Sequence, residues 1–128
     1  MNKLLWFFHV MLTLAFGLFG LQKVFMAMPD LIAQGMWWIE DFSAWQVRAI
    51  GALEVLGVLG LNMPYLLKPI PKRVIPLASA CLALTMVVAI PMHVMRGDPI
   101  PAVVVNSILL LMAATLAVKR YGEFQAKS

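Results

Sequence analysis

Residues 45–61 read WQVRAIGALEVLGVLGL, an almost wholly apolar stretch with Glu54 near its middle. At about 1.5 Å per residue, Glu54 lies about 14 Å along a helix from Trp45. That distance places it near the centre of a hydrocarbon layer about 30 Å thick. A carboxylate at this depth is costly and normally faces a partner or a cavity. The stretch therefore predicts a transmembrane helix with a functional acid. The alternative is a protonated glutamic acid that only links two helices by a hydrogen bond.

Glycine recurs on both sides of this acid, at Gly51, Gly57 and Gly60. A residue without a side chain lets a neighbouring helix or a ligand approach the backbone closely. We therefore assign these three glycines to helix packing.

The composition of the chain is that of a membrane protein, with 62% hydrophobic and only 12% charged residues. Soluble domains carry about twice that share of charge, about 25%. The net charge of +4 does not indicate a nucleic-acid partner, because the basic residues stand at the ends of apolar runs. The single cysteine, Cys81, allows no intrachain disulfide, redox pair or thiolate cluster. No metal site is predicted.

Three more apolar runs can cross a bilayer, at residues 4–28, 77–95 and 100–118. The first is predicted to be a retained helix and not a signal peptide, because its apolar part is too long and no cleavage site closes it. In the third transmembrane run, Pro91 predicts a kink just before His93.

The segments between the runs differ in character. Residues 29–44 mix aromatic and acidic side chains, which predicts a loop carrying a short interfacial helix. Residues 62–76 hold four prolines and three basic residues, which predicts a basic turn that cannot carry a regular helix. The predicted fold is all-α: one domain over residues 1–128, a bundle of four transmembrane helices with an interfacial helix between the first two.

The basic residues predict the orientation of this bundle. Seven of them fall on one side of the membrane and three on the other. The side rich in lysine and arginine is normally cytoplasmic, so both termini are predicted to lie in the cytoplasm, under an inner (plasma) membrane of the bacterial type. The seven are Lys3, Lys68, Lys72, Arg73, Lys119, Arg120 and Lys127, and the three are Lys23, Arg48 and Arg96.

Polar side chains from all four helices fall in the outer half of the predicted bundle. They are Lys23, Arg48, Glu54, His93 and Asn106. Glu54 is the deepest, and we expect His93 or Asn106 as its partner, with Lys23 or Arg48 capping the group from above. Arg48 is not expected to pair with Glu54, because six residues separate them by about 9 Å along the axis and about 120° around it. These residues predict a shared polar pocket; a purely structural polar cluster is the alternative.

The order and spacing of these residues resemble the DoxX-like family of membrane proteins. The resemblance covers residues 17–118 and implies a compact four-helix bundle. Relatives include a quinone-linked subunit of thiosulfate oxidation, a component of a thiol-stress complex and, more distantly, the acetylcholine-receptor chaperone of the endoplasmic reticulum, so the family implies no single activity. The resemblance lies in Arg48, Gly51, Glu54, Gly57, Gly60, His93 and Asn106.

Two functions from different classes fit this pattern. In the first, the chain is a non-enzymatic binding, accessory or chaperone-like protein whose pocket holds a lipid, a quinone-like ligand or a partner's transmembrane helix. In the second, it is the membrane subunit of a quinone-linked oxidoreductase of the thiosulfate:quinone type, with electrons supplied by another subunit. The first is favoured, because the chain has no haem-ligating histidine pair, cysteine cluster or glycine-rich dinucleotide loop. No cofactor of its own is expected beyond a bound quinone or lipid. The expected partners are membrane lipid and either another membrane protein or a second copy.

Overall fold

The computed structural model describes residues 2–127 and contains no β-strand in that range. Four of its helices are long and apolar enough to cross a membrane, namely α1, α3, α4 and the part of α5 up to Glu123. The predicted four-helix bundle, with a short helical segment between its first two transmembrane helices, is confirmed. The elements are α1 (Lys3–Phe25), α2 (Met28–Ala33), a 3₁₀ helix (Trp37–Asp41), α3 (Ala44–Leu66), α4 (Val74–Arg96) and α5 (Ile100–Lys127). Met1 and Ser128, the ends of the predicted domain, lie outside the described residues, as do the side chains of Phe124, Ala126 and Lys127.

Local hydrogen bonds define where the long helices begin and end. Asn2 accepts a hydrogen bond from the backbone N–H of Leu5 at 2.9 Å, which caps α1. Ser43 and Gln46 form a capping box at the start of α3. α4 ends at Gly97, whose φ of 71° is the left-handed conformation that glycine adopts without strain.

Four boundaries differ from the sequence prediction. α1 ends at Phe25 and not at Met28, which begins α2. α3 continues through Pro64 to Leu66, so only residues 67–73 form the connection. Pro64 removes a single backbone hydrogen bond close to the helix end, and Leu67 still donates to the carbonyl of Met63 at 2.8 Å. α4 begins before Pro76, which falls in the first turn where no intrahelical N–H bond is needed. α5 runs past Val118 to Lys127, because charged residues are compatible with a helix and no proline follows.

The four long helices run antiparallel in sequence order, with α1 packed on α3, α3 on α4 and α4 on α5, and α1 also contacting α5. We call the end that carries α2, the 3₁₀ helix and Gly97 the loop end. The end that carries Asn2 and residues 67–73 is the termini end. The main apolar core includes Leu12, Phe16, Leu61, Leu82 and Leu116, and a smaller one, of Leu31, Ile39 and Val47, lies under the loop at the loop end.

The glycines of α3 serve two different neighbours. Gly51 lies against Lys23 of α1, towards the loop end, whereas Gly57 and Gly60 lie against Leu82 and Ala78 of α4, towards the termini end. The glycine contacts of α3 are therefore made with α1 towards the loop end and with α4 towards the termini end.

Candidate functional site

A cavity of about 810 Å³ lies in the loop-end half of the bundle. We call it the loop-end cavity. Ligand sites are typically about 300–1,000 Å³ in volume and mostly apolar, with a few placed polar groups. This cavity has the same character, since side chains from all four long helices and from the 3₁₀ helix line it and most of them are apolar. Its polar and charged lining comprises Lys23, Glu54, Thr85, His93, Asp98 and Asn106.

Glu54 pairs with Lys23 across the α1–α3 contact. The lysine Nζ donates to Oε1 at 2.5 Å, and the two side chains are only 11% and 3% exposed. The expectation that His93 or Asn106 would directly partner Glu54 is thereby corrected. Lys23 is not a cap above the site but the partner itself, because Gly51, one turn from Glu54, lets the backbone of α1 approach and brings Nζ level with the carboxylate.

Arg48 supports this pair from behind and does not line the cavity. Its Nη1 donates to the backbone carbonyl of Lys23 at 2.7 Å. That carbonyl belongs to the last turn of α1, where backbone oxygens lack intrahelical partners and favour a positive charge. Arg48 thus fixes the end of α1 that carries Lys23. The Lys23 Nζ also lies 5.2 Å from the centre of the Trp38 ring, a cation–π contact beneath the 3₁₀ helix.

His93 faces a different carboxylate from the one predicted. Its Nδ1 lies 2.7 Å from Oδ2 of Asp98, in the turn between α4 and α5. The hydrogen bond from His93, aided by Arg96, holds the pKa of Asp98 below its ordinary value, so this side chain is a carboxylate at neutral pH. With Nδ1 engaged, Nε2 is the ring nitrogen left for a ligand, and it makes no hydrogen bond to any residue in the described part of the chain.

Arg96 joins the 3₁₀ helix to this turn. It forms ion pairs with Asp98 and with Asp41, and it donates to the backbone carbonyl of Trp37 at 3.3 Å. The ring of Trp38 meets that of His93 edge to face, with centres 6.3 Å apart. The 3₁₀ helix is therefore fastened over the mouth of the cavity through side chains of α4.

Asn106 lies half-buried in the cavity wall on α5, and within residues 2–127 its side chain makes no hydrogen bond. Four of the five predicted polar residues therefore line one cavity: Lys23, Glu54, His93 and Asn106. Lys23 and Glu54 form an ion pair, His93 is bonded to Asp98, and Asn106 makes no hydrogen bond to the described residues. The four side chains therefore do not form a single connected network. Arg48 stands outside the cavity.

A second polar cluster, missed in the sequence, lies near the termini end. His9 is only 2% exposed, and its Nε2 lies 3.2 Å from Oδ1 of Asn62. The amide nitrogen of Asn62 donates to the hydroxyl of Thr13 at 3.0 Å and to the carbonyl of Val58 at 2.8 Å. From spacing alone His9 has no partner, because the predicted helix ends at Leu61 and leaves Asn62 in the turn. The signal that could have found the cluster is the spacing of His9 and Thr13, one helical turn apart on one face.

The same cluster extends to α5. Arg120 is buried, and its Nη2 donates to the hydroxyl of Tyr65 at 3.0 Å. The ring of Tyr65 packs against the rings of Trp6 and His9, and Lys72 lies over its face. We call His9, Thr13, Asn62, Tyr65 and Arg120 the termini-end cluster. It joins α1, α3 and α5 through side-chain hydrogen bonds and ring contacts, which is the arrangement of a structural network.

We expect Asn62→Leu to lower the free energy of unfolding by about 1–2 kcal/mol, because His9 and Thr13 both lose a buried hydrogen-bond partner. The matched control is Asn106→Leu, which removes the same group from a position without a partner in the described chain and should cost less than about 0.5 kcal/mol. Reversible unfolding of the detergent-solubilised variants measures both. Equal losses would contradict the distinction between the two asparagines.

The model of the DoxX-like family matches residues 7–116, which extend from the first turns of α1 to the middle of α5. No curated protein and no solved structure matches the chain.

Proposed function

The chain belongs to the DoxX-like family, and we propose that it is a non-enzymatic membrane binding protein that holds an amphiphilic ligand from the lipid phase in the loop-end cavity. One observation carries this proposal: an ion pair, Lys23–Glu54, forms part of the wall of a cavity that is otherwise mostly apolar. A buried pair in a membrane protein is expensive and is normally kept for a function. The pair offers hydrogen bonds to a polar head, and the apolar walls suit a hydrocarbon body.

The shape of the cavity supports access from the bilayer. Leu53 of α3 and both Leu84 and Val88 of α4 line the cavity, and each is more than half exposed. The close contacts at Gly57 and Gly60 hold α3 and α4 together only nearer the termini end. We infer that a gap between α3 and α4 connects the cavity with the surrounding hydrocarbon.

The charges of the wall indicate the class of head group. Lys23 is neutralised by Glu54, and the carboxylate of Asp98 is neutralised by Arg96. Because both ion pairs are already neutral, a head group with a net charge would find no opposite charge in the cavity. Burying such an unpaired charge in a medium of low dielectric constant costs a large desolvation free energy. Asn106 and Nε2 of His93 remain available for hydrogen bonds. The ligand is therefore an uncharged amphiphile with a hydroxyl, carbonyl or amide head.

A quinone belongs to this class, and the His93–Asp98 pair favours a second candidate function, a membrane subunit of a quinone-linked oxidoreductase. Asp98 holds His93 at Nδ1, which leaves Nε2 to exchange one of the two protons of a quinone/quinol couple with a ring oxygen, and water entering at the loop end would exchange the other. Another subunit would carry the two electrons.

The experiment is mass spectrometry of the lipids and quinones that co-purify with the full chain. We expect about one amphiphile per chain for the wild type and a loss of about tenfold or more for Ala102→Phe, which fills the cavity from α5. The control, Ala52→Phe, places the same ring on the exposed face of α3 outside the cavity and should leave the yield unchanged. Recovery of a partner's transmembrane helix in place of any amphiphile would overturn the proposal. A retained quinone would select the second candidate for assay with its redox partner.

We also propose that the loop end faces the outside of an inner (plasma) membrane and that both termini are cytoplasmic, on the strength of the basic residues at the termini end. A cysteine introduced at exposed Gln34, in a Cys81→Ser background, should react with a membrane-impermeant maleimide added to intact cells. Labelling only after the cells are opened would show the reverse orientation.

A further inference from the structure

A second concave surface lies at the termini end, between the start of α4 and the last turns of α5. It encloses about 720 Å³, and we call it the termini-end groove. Its floor is apolar, and it is deep because Ala80 and Ala117 carry short side chains on its two walls. From Arg73 to Ala80 the α4 wall measures about 10 Å, and the α5 wall from Ala117 to Gln125 measures about 12 Å. This surface is separate from the loop-end cavity and from the termini-end cluster.

The rim of the groove is polar at the end that lies beyond the apolar spans of α4 and α5. Arg73 is exposed there, and it forms no ion pair with any residue between 2 and 127. The hydroxyl of Tyr121 accepts a hydrogen bond from the side-chain amide of Gln125 at 2.6 Å, on the opposite wall. A guanidinium and a phenol thus stand at the mouth of a hydrocarbon-lined groove.

The charges around the mouth select an anionic occupant. Exposed Lys68, Lys72 and Lys119 lie at the same end of the bundle. The nearby carboxylate of Glu123 is already paired with Arg120. A guanidinium presents donors in a fork that matches phosphate oxygens. An apolar floor of this length would also accept the part of an acyl chain that lies next to the head group.

We propose that the termini-end groove binds an acidic phospholipid, with its phosphate at Arg73 and one acyl chain on the floor between Ala80 and Ala117. The occupant is a lipid and not a free anion, because the larger part of the surface is apolar and lies within the span of α4 and α5. This site does not depend on the function proposed for the loop-end cavity.

The test uses the full chain in phosphatidylcholine vesicles that contain a trace of spin-labelled phosphatidylglycerol or spin-labelled phosphatidylcholine. Electron paramagnetic resonance then measures the immobilised fraction of each lipid. We expect the protein to prefer phosphatidylglycerol by about fivefold, the value of one well-placed basic residue at a membrane surface. Arg73→Ala should remove most of this preference. The matched control, Lys119→Ala, removes the same charge from the same end outside the groove and should retain it.

A second variant tests the floor of the groove without changing any charge. Ala80→Phe fills the space between the walls and should also reduce the preference for phosphatidylglycerol, whereas circular dichroism should show an unchanged helix content. The proposal is overturned if the wild type shows no preference, or if Lys119→Ala costs as much as Arg73→Ala, since the attraction would then be diffuse. An Ala80→Phe protein with the full preference would equally show that the groove holds no chain.

Discussion

Lys23→Met is expected to lower the free energy of unfolding by about 3 kcal/mol, the largest effect of any single substitution considered for this protein. Methionine preserves the length and apolar stem of the side chain, but it leaves the carboxylate of Glu54 buried and without its partner. Removing one member of a buried ion pair typically costs about 3–5 kcal/mol. Glu54→Gln should have an intermediate effect, because the amide oxygen can still accept from Lys23 while the charge of the lysine is no longer balanced.

The double variant Lys23→Met/Glu54→Leu separates stability from binding. Replacing both members of a buried pair with apolar residues is often neutral, so its stability should return to within about 1 kcal/mol of the wild type. Its cavity, however, keeps the apolar walls and loses the pair that recognises a polar head, so the co-purified amphiphile should be absent. Reversible unfolding in detergent and mass spectrometry of bound lipid measure the two properties on the same sample. A double variant that still retains its ligand would show that the pair does not contribute to recognition.

The second large effect is expected for Gly51→Ala, with a loss of about 2–3 kcal/mol. A Cβ at this position would lie 2.6 Å from Cβ of Lys23 and 2.7 Å from the backbone oxygen of Gly20, and neither atom can move without shifting α1. Gly57→Ala should cost less, because the atoms in the way, Cδ2 and Cγ of Leu82 at 2.5 and 2.8 Å from the new Cβ, belong to a side chain and not to the backbone. Leu82 can shift within the core without moving α4 as a whole.

Gly17→Ala provides the control for this series. The nearest atom to its Cβ is 3.9 Å away, an ordinary contact, and alanine is favoured over glycine inside a helix by about 0.5–1 kcal/mol. The control should therefore be neutral or slightly stabilising. Thermal unfolding of the three variants gives the ranking. A Gly51→Ala protein as stable as Gly17→Ala would show that α1 and α3 are less closely packed than described.

The architecture could be predicted because apolar length is a sufficient signal for a helix in a bilayer. The four runs, the interfacial segment and the family resemblance all follow from residue order, and the match over residues 7–116 confirms the family. The ends of α3 and α5 were less predictable. Beyond the hydrocarbon layer a helix no longer needs apolar residues, so the apolar signal stops at Leu61 and Val118 although the backbone remains helical.

The depth of the polar residues in the bundle could be predicted from the sequence, but their hydrogen-bond partners could not. Residue counting places Lys23, Glu54, His93 and Asn106 in one half of the bundle, and the structure has all four in one cavity wall. Their partners depend on which way each helix is turned about its axis, which is set by contacts such as Gly51 on α1. The partner of His93 was hidden for another reason, since Asp98 belongs to the following turn and not to a helix.

Because the glycine contacts between α3 and α4 lie only towards the termini end, the two halves of the α3–α4 contact should respond unequally to lateral pressure from the bilayer. A bilayer exerts lateral pressure on an embedded protein. The half of the α3–α4 contact nearer the termini end resists compression, because the two helices already touch at Gly57 and Gly60. The gap beside Leu53 and Leu84 has no such support. Its width should follow how tightly the surrounding lipids are packed. If the cavity binds an amphiphile as proposed, its affinity should then be a joint property of protein and bilayer, and it should change with the lipids around the protein.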